Sequence, residues 1–292
     1  MQGKTVVITG ATSGIGEVAA CALAEQGARI VFIARDRVRG EQTLERLQSA
    51  APGGKHVAHY ANLSRLAEMK RVCETIAATE ERIDVLINNA GALFSTRQVT
   101  GEALEMTFAT NHIAYFVVTN LLLGRLLATP SSRVVNTSSD AHRRAKLDFD
   151  DLQFEKGYSG FAMYSRSKLM NILFTRELAR RLVGTGVTAN SLHPGFVATR
   201  FGDGSGGLAE LVVKGAKKFA LTPQEGAKTI IYLASSPEVD AVSGKYFHKC
   251  KDEMPTAAAQ NDTDARRLWD ISAQLTGVGS GPRCWFRPRN VR

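Results

Sequence analysis

The sequence predicts an α/β fold built on a mostly parallel sheet with helices on both faces, and three observations lead there. Short apolar, β-branched runs alternate with longer segments of helical periodicity; the first run ends in a glycine-rich turn that opens a helix; no composition break divides the chain. With 292 residues, 44% of them hydrophobic and 22% charged, the chain is an ordinary soluble globular one, long enough to bury one large core.

The strand-like runs fall at 5–8, 29–33, 56–60, 85–87, 133–136 and 187–192, with a last one around 244–248. Between them, apolar residues recur at helical spacing over 18–23, 44–47, 66–76, 104–127 and 169–182, and a tail helix is expected around 263–275. Strand and helix alternate, so right-handed crossovers make this a single doubly wound Rossmann-type domain. Two stretches break the rhythm. Residues 140–161 are polar and turn-rich, while 195–221 begin glycine-rich and become amphipathic; both are expected over the carboxyl edge of the sheet, where such sheets bind ligands. The domain is placed at 1–250, with 196–222 as a substrate lid, and 251–292 as an extension with one helix and a basic tail.

Lysine and arginine number 37 against 28 acidic residues, a net charge of +9 that suits nucleic acid, an anionic membrane or a phosphorylated cofactor. The basic residues are dispersed, with clusters at Arg143, Arg144 and Lys146, at Lys214, Lys217 and Lys218, and in the tail from 283 onward. No nucleic-acid module accompanies them, so nucleic acid is not an expected partner. Cys21, Cys73, Cys250 and Cys284 lack disulfide or metal spacing and read as reduced structural thiols, with no metal expected. The N-terminus runs straight into a strand pattern without a secretory signal, and the apolar run 113–123 is too short to span a bilayer; a cytoplasmic location is expected.

Three local patterns carry chemistry. The turn from Thr9 through Gly10, Ala11, Thr12, Ser13, Gly14, Ile15 and Gly16 has the spacing Gly-x-x-x-Gly-x-Gly between a strand and a helix. Gly10 permits the tight turn, Gly14 lets backbone approach a pyrophosphate, Gly16 allows close helix packing, and the helix N-terminus faces the phosphates. At the end of the second strand Ala34 offers no carboxylate to a ribose, whereas Arg35 can pair with a 2′-phosphate and Asp36 suits a helix cap. The expected cofactor is therefore NADP(H). Finally, Tyr164 and Lys168 stand four apart, on one face of a helix. A phenol titrates near pH 10 and is a poor base at neutrality unless a nearby ammonium stabilises its anion.

Taken with Asn88 to Gly91, Asn111, Asn136 to Ser139, and His193, Pro194 and Gly195 followed by Val197 and Thr199, these motifs in this order resemble the short-chain dehydrogenase/reductase family. The stretches 148–152, 173–182, 244–247 and 265–269 are similar to its retinol dehydrogenase-like branch. That resemblance implies an NADP(H)-dependent oxidoreductase acting on apolar aldehydes, ketones and alcohols. It implies Tyr164 as general acid/base, Lys168 as its electrostatic partner and ribose contact, and Ser139 rather than Ser138 as the hydroxyl holding the substrate oxygen. Asn111 would anchor a proton relay, with Asn89, Ala90 and Gly91 cradling the adenosine ribose and Pro194, Gly195, Val197 and Thr199 among the cofactor-binding residues. Where the family often has Asp-Leu after the third strand, this chain has Asn62 and Leu63, which weakens the adenine contact without abolishing it.

Leu93, Phe94, Phe161, Phe196 and Phe201 flank these motifs and suit an apolar substrate pocket or simple core packing. The stretch 208–219 fits a lid, an interfacial helix on anionic lipid, or a plain solvated helix. A homo-oligomer is compatible with the sequence. The fold alone would also serve a non-catalytic NADP(H)-sensing regulator, but a sensor has no use for Ser139, Tyr164 and Lys168 together.

Overall fold

A computed structural model describes residues 1–196 and 221–279. Its sheet has eight strands: β1 (Thr5–Thr9), β2 (Arg29–Ala34), β3 (Val57–Tyr60), β4 (Val85–Asn88), β5 (Arg133–Thr137), β6 (Thr188–His193), β7 (Tyr246–His248) and β8 (Lys251–Asp252). They lie in the order β3-β2-β1-β4-β5-β6-β7-β8, all parallel except β8, which runs antiparallel to β7. The order reverses between β1 and β4, so the loops leaving these two strands diverge and open the crevice in which doubly wound folds bind ligands.

Successive residues of a strand face opposite sides, and here both sides are covered. Val6, Ile8, Ile30 and Phe32 pack beneath α1 (Gly14–Glu25), α2 (Arg37–Ala50) and α6 (Pro223–Ser235). Val7, Val31, Leu86 and Val134 pack against α3 (Leu66–Thr79), α4 (Met106–Ala128), α5 (Gly160–Arg181) and α7 (Asp262–Thr276). The described part of the extension, 251–279, thus shares the second core. Trp269 of α7 stacks on Phe174 at 5.7 Å and meets Phe116 edge-on at 4.9 Å.

Helix α6 is absent from the sequence-based expectations, although a signal for it was present. Thr222 and Glu225 form a reciprocal capping box, Glu225 N donating to Thr222 Oγ1 at 3.2 Å and Thr222 N to Glu225 Oε2 at 2.9 Å, with Pro223 at the first helical position. Its buried face is Ala227, Ile230, Leu233 and Ala234, laid against α1. The apolar run 113–123 proves to be part of a 23-residue helix, long and apolar enough to cross a membrane by length and composition. Since 72% of its most apolar stretch is buried inside this fold, its partners are the sheet and α3.

Candidate active site

The floor of the crevice is the turn between β1 and α1. Gly10 and Gly14 both adopt positive φ, +70° and +59°, which glycine reaches without steric cost. A Cβ on Gly16 would stand 2.2 Å from the Gly10 carbonyl oxygen and 2.4 Å from Asn89 Nδ2, so glycine there lets α1 close directly onto the turn. The turn is tied to the end of β4. Thr9 Oγ1 accepts from both Asn89 N and Ala90 N at 3.0 Å, and Asn89 Nδ2 donates to Gly10 O at 3.2 Å. The side chain of Asn89 is thereby committed to the scaffold and leaves backbone facing the crevice.

Gly91 differs from Gly16. A Cβ built there would lie 3.4 Å from Asn111 Oδ1 and 3.6 Å from Lys168 Nζ, ordinary contact distances, so protein packing alone does not demand glycine. What the missing methyl leaves open is the space in front of the lysine, and together with the turn this makes a cradle of backbone that fits a dinucleotide. At the far end of β2, Arg35 is exposed and Asp36 caps α2, accepting from Arg39 N at 2.8 Å. Asn62 Oδ1 accepts from Ser64 N and Oγ at 3.0 and 2.9 Å, which fixes the turn after β3 and buries Leu63 beside it.

Tyr164 and Lys168 lie in the first half of α5, which Ser159 caps by accepting from Ala162 N at 3.4 Å. Their spacing puts Lys168 Nζ 5.5 Å from the Tyr164 ring centre. The hydroxyl of Ser139 is hydrogen-bonded to the Tyr164 phenol, while the hydroxyl of Ser138 turns the other way and donates to Lys168 O at 2.7 Å. Strand alternation thus separates the two serines. Burial pushes the Tyr164 phenol up to about 12, against a smaller opposing effect of the Ser139 bond, and lowers the Lys168 ammonium to about 7.

Asn111 sits in a single π-type turn, Ala109–Ile113, set into α4. The wider turn aims its amide out of the helix. Oδ1 accepts from Ala92 N at 2.8 Å, and Nδ2 donates to Ala92 O at 2.9 Å and to Ser167 Oγ at 3.0 Å. Asn111 therefore braces the loop after β4 against the helix that carries Tyr164 and Lys168.

Sequence reasoning missed the residues behind the lysine. The Thr137 carbonyl, where β5 ends, accepts from Lys168 Nζ at 3.1 Å, Asn171 Nδ2 at 3.3 Å and the Tyr115 hydroxyl at 3.4 Å. Below it, Asn88 Nδ2 bonds Thr119 Oγ1 and Asn136 Oδ1, and Asn136 Nδ2 bonds Thr175 Oγ1, all within 2.9 Å. This buried polar ladder spans β4, β5, α4 and α5, and no local spacing announces it. Gly195 has φ +87°, and Phe196 O accepts from Leu221 N at 2.7 Å. Phe161 and Phe196 are about half exposed, at 50% and 57%. Val197, Thr199, Phe201 and the stretch 208–219 lie outside the described residues.

A doubly wound sheet, a glycine cradle at its switch point and a half-buried tyrosine bonded to a serine beside a lysine are the features of an oxidoreductase that works with a nicotinamide cofactor. The family model for short chain dehydrogenase matches residues 4–206, and the chain belongs to that family, in its retinol dehydrogenase-like branch. It is 45% identical over 296 residues to retinol dehydrogenase 14 of Homo sapiens, covering 95% of this chain and 88% of that protein. Retinol dehydrogenase 12 of Homo sapiens is 40% identical over 279 residues, with the same coverage of 95% and 88%. Among solved structures, an uncharacterised protein of Mycobacterium paratuberculosis superposes with a TM-score of 0.76 at 33% identity, covering 95% of this chain and 94% of that one. Actinorhodin polyketide ketoreductase, solved with NADPH, gives a TM-score of 0.65 at 27% identity over 84% of this chain and 94% of its own. The chain is thus an oxidoreductase of alcohol and carbonyl groups.

Proposed function

We propose that this protein interconverts an apolar aldehyde or ketone and the corresponding alcohol using NADP(H), with Tyr164 as general acid/base. The observation that carries the reading is the meeting of the Ser139 hydroxyl and the half-buried Tyr164 phenol beside Lys168. When bound, the nicotinamide cofactor supplies or accepts the hydride. Gly10, Thr12, Ser13, Gly14, Ile15 and Gly16 would hold its phosphates, Asn62, Leu63, Asn89, Ala90 and Gly91 the adenosine side, and Pro194 and Gly195 the nicotinamide side, with Val197 and Thr199 as further cofactor contacts.

With its phenol raised to about 12, Tyr164 is protonated at neutral pH, the form that donates to a carbonyl oxygen taking up negative charge. Ser139 donates to the same oxygen without itself titrating, and fixes it within reach of the phenol. Lys168, brought to about 7, can gain and lose a proton near neutrality and so return one to Tyr164, while Asn111 fixes the loop in front of it. Arg35 is exposed just past the end of β2 while Asp36 is occupied as a cap, which supports a contact between its guanidinium and a 2′-phosphate. The half-exposed Phe161 and Phe196 suit an apolar substrate. Work in the cytoplasm, with contact at a membrane surface and self-association both open to it, belongs to the same proposal.

The test is to mix the protein with NADPH or NADH and a panel of apolar aldehydes and ketones while following reduced-nicotinamide absorbance. Faster consumption of NADPH than of NADH is expected; a panel that consumes neither would contradict the reading.

A further inference from the structure

Behind Ser139 lies a group of imidazoles that the mechanism above leaves unused. The peptide joining Ser139 to Asp140 is held from both sides. Its carbonyl, Ser139 O, bonds His142 Nδ1 at 2.8 Å, and its amide, Asp140 N, donates to His193 Nδ1 at 3.2 Å. The two rings have opposite tasks. His142 donates through Nδ1 and accepts from Thr256 N at Nε2, 3.4 Å away, whereas His193 accepts at Nδ1 from Asp140 N and also from Gly195 N at 3.3 Å. Each ring is therefore neutral and fixed in one tautomer.

We propose that His142 and His193 are positioning residues that clamp the Ser139–Asp140 peptide plane, keeping the Ser139 hydroxyl on Tyr164 and in register with the Pro194–Gly195 loop. The direction of the Ser139 side chain depends on the peptide plane that follows it, and a plane held at both its carbonyl and its amide cannot rotate. His193 ends β6, so the clamp is anchored in the sheet, and its second bond to Gly195 N joins the serine turn to the loop proposed for the nicotinamide. Asp140 and Glu253 favour the charged His193 ring, but burial together with His248 and His142 outweighs them. His248 of β7 packs against it with tilted rings 4.7 Å apart, Glu253 holds His248 Nδ1 at 3.1 Å, and Asp140 and His142 face it from the serine turn, with Arg143 drawn to Asp140 and Glu253. Burial, helped by the neighbouring His248, lowers His193 to about 4, so the acceptor nitrogen is available at neutral pH.

The inference rests on the reading of Ser139 and Tyr164 given above, and its test separates the two. His193→Phe keeps a planar ring without an acceptor, while His193→Asn restores an acceptor close to the position of Nδ1. With one neutral hydrogen bond lost to each of two loops, kcat should fall about tenfold or more in His193→Phe and largely recover in His193→Asn at similar thermal stability. A second readout needs no turnover: the Cζ resonance of labelled Tyr164 should move in His193→Phe and return in His193→Asn, and the Asp140 and Gly195 amides should lose exchange protection only in the former. If the wild type turns nothing over yet this pattern appears, the clamp stands and the catalytic reading fails. A His193→Phe variant with wild-type kcat, or unchanged resonances and amide protection, would overturn the clamp.

Discussion

Lys168 Nζ lies 3.1 Å from the carbonyl oxygen of Thr137, so the amine beside the Tyr164 ring is held by the end of β5 and not by its own helix. That carbonyl also receives Asn171 and Tyr115, which makes it the point where sheet, α4 and α5 agree on where the lysine sits.

Ser139→Ala should cost far more activity than Ser138→Ala. Removing a hydroxyl that donates to a developing oxyanion lowers kcat by roughly 10²–10³. The Ser138 hydroxyl instead satisfies the Lys168 carbonyl, so its loss should appear as about 1 kcal/mol of stability with most turnover kept. Steady-state kinetics and denaturant melts of both variants decide it, and the reverse ranking would place the wrong serine in the site.

The two glycines that face Asn89 and Lys168 should respond differently to alanine. Gly16→Ala forces a methyl to within 2.2 Å of backbone, which should destabilise the fold by about 1–3 kcal/mol. Gly91→Ala meets only ordinary contacts and should melt near wild type while binding NADPH more weakly, because it fills the space in front of Lys168. Calorimetry on the two variants reads both effects; undiminished NADPH affinity in Gly91→Ala would remove that glycine from the cradle.

Arg35→Ala should weaken NADP(H) selectively. A charge-assisted contact to a 2′-phosphate contributes about 1.5–3 kcal/mol and NAD(H) lacks that group, so the preference should fall at least about tenfold. The comparison of kcat/KM for both cofactors belongs at one fixed salt concentration, since screening weakens exposed charges. An unchanged ratio would make Arg35 a solvated surface cation.

Acid should destabilise the fold over a defined window. Burial lowers His112 to about 3, and His193 to about 4 with some help from neighbouring charge. Both lie below the ordinary histidine value of about 6.5, so the unfolded chain binds protons first. Their contribution is complete above that value and is lost as pH falls through it toward the folded values. Denaturant midpoints should therefore decline from about pH 7 to pH 4, and replacing His112, which is fully buried and bonded to Ser272 at 3.0 Å, by Asn should flatten the decline. Equal slopes in the two proteins would assign the acid sensitivity elsewhere.

What was legible in the sequence was what local spacing writes. The glycines of the first turn and the four-residue step from Tyr164 to Lys168 are fixed by chain geometry over a few residues, and alternation separates Ser138 from Ser139. The capping box of Thr222 and Glu225 is equally local, but it follows a glycine-rich stretch whose composition signals loop rather than helix. The Thr137 carbonyl is a different case. Its three donors come from positions 115, 168 and 171, and only the packing of α4 and α5 against β5 brings them together. The π turn around Asn111 and the paired imidazoles on the Ser139 peptide likewise exist only in the assembled fold.

The central claim is that the Tyr164 oxygen moves the proton, and the most direct measurement is a single-turnover reduction by Tyr164→Phe with NADPH and the best carbonyl substrate of the panel. Phenylalanine preserves the ring and its packing and removes only the ionisable oxygen, so NADPH should bind within about twofold of wild type while the rate of hydride transfer falls by roughly 10²–10⁴. Hydride transfer in Tyr164→Phe at a rate close to that of the wild type would contradict the account.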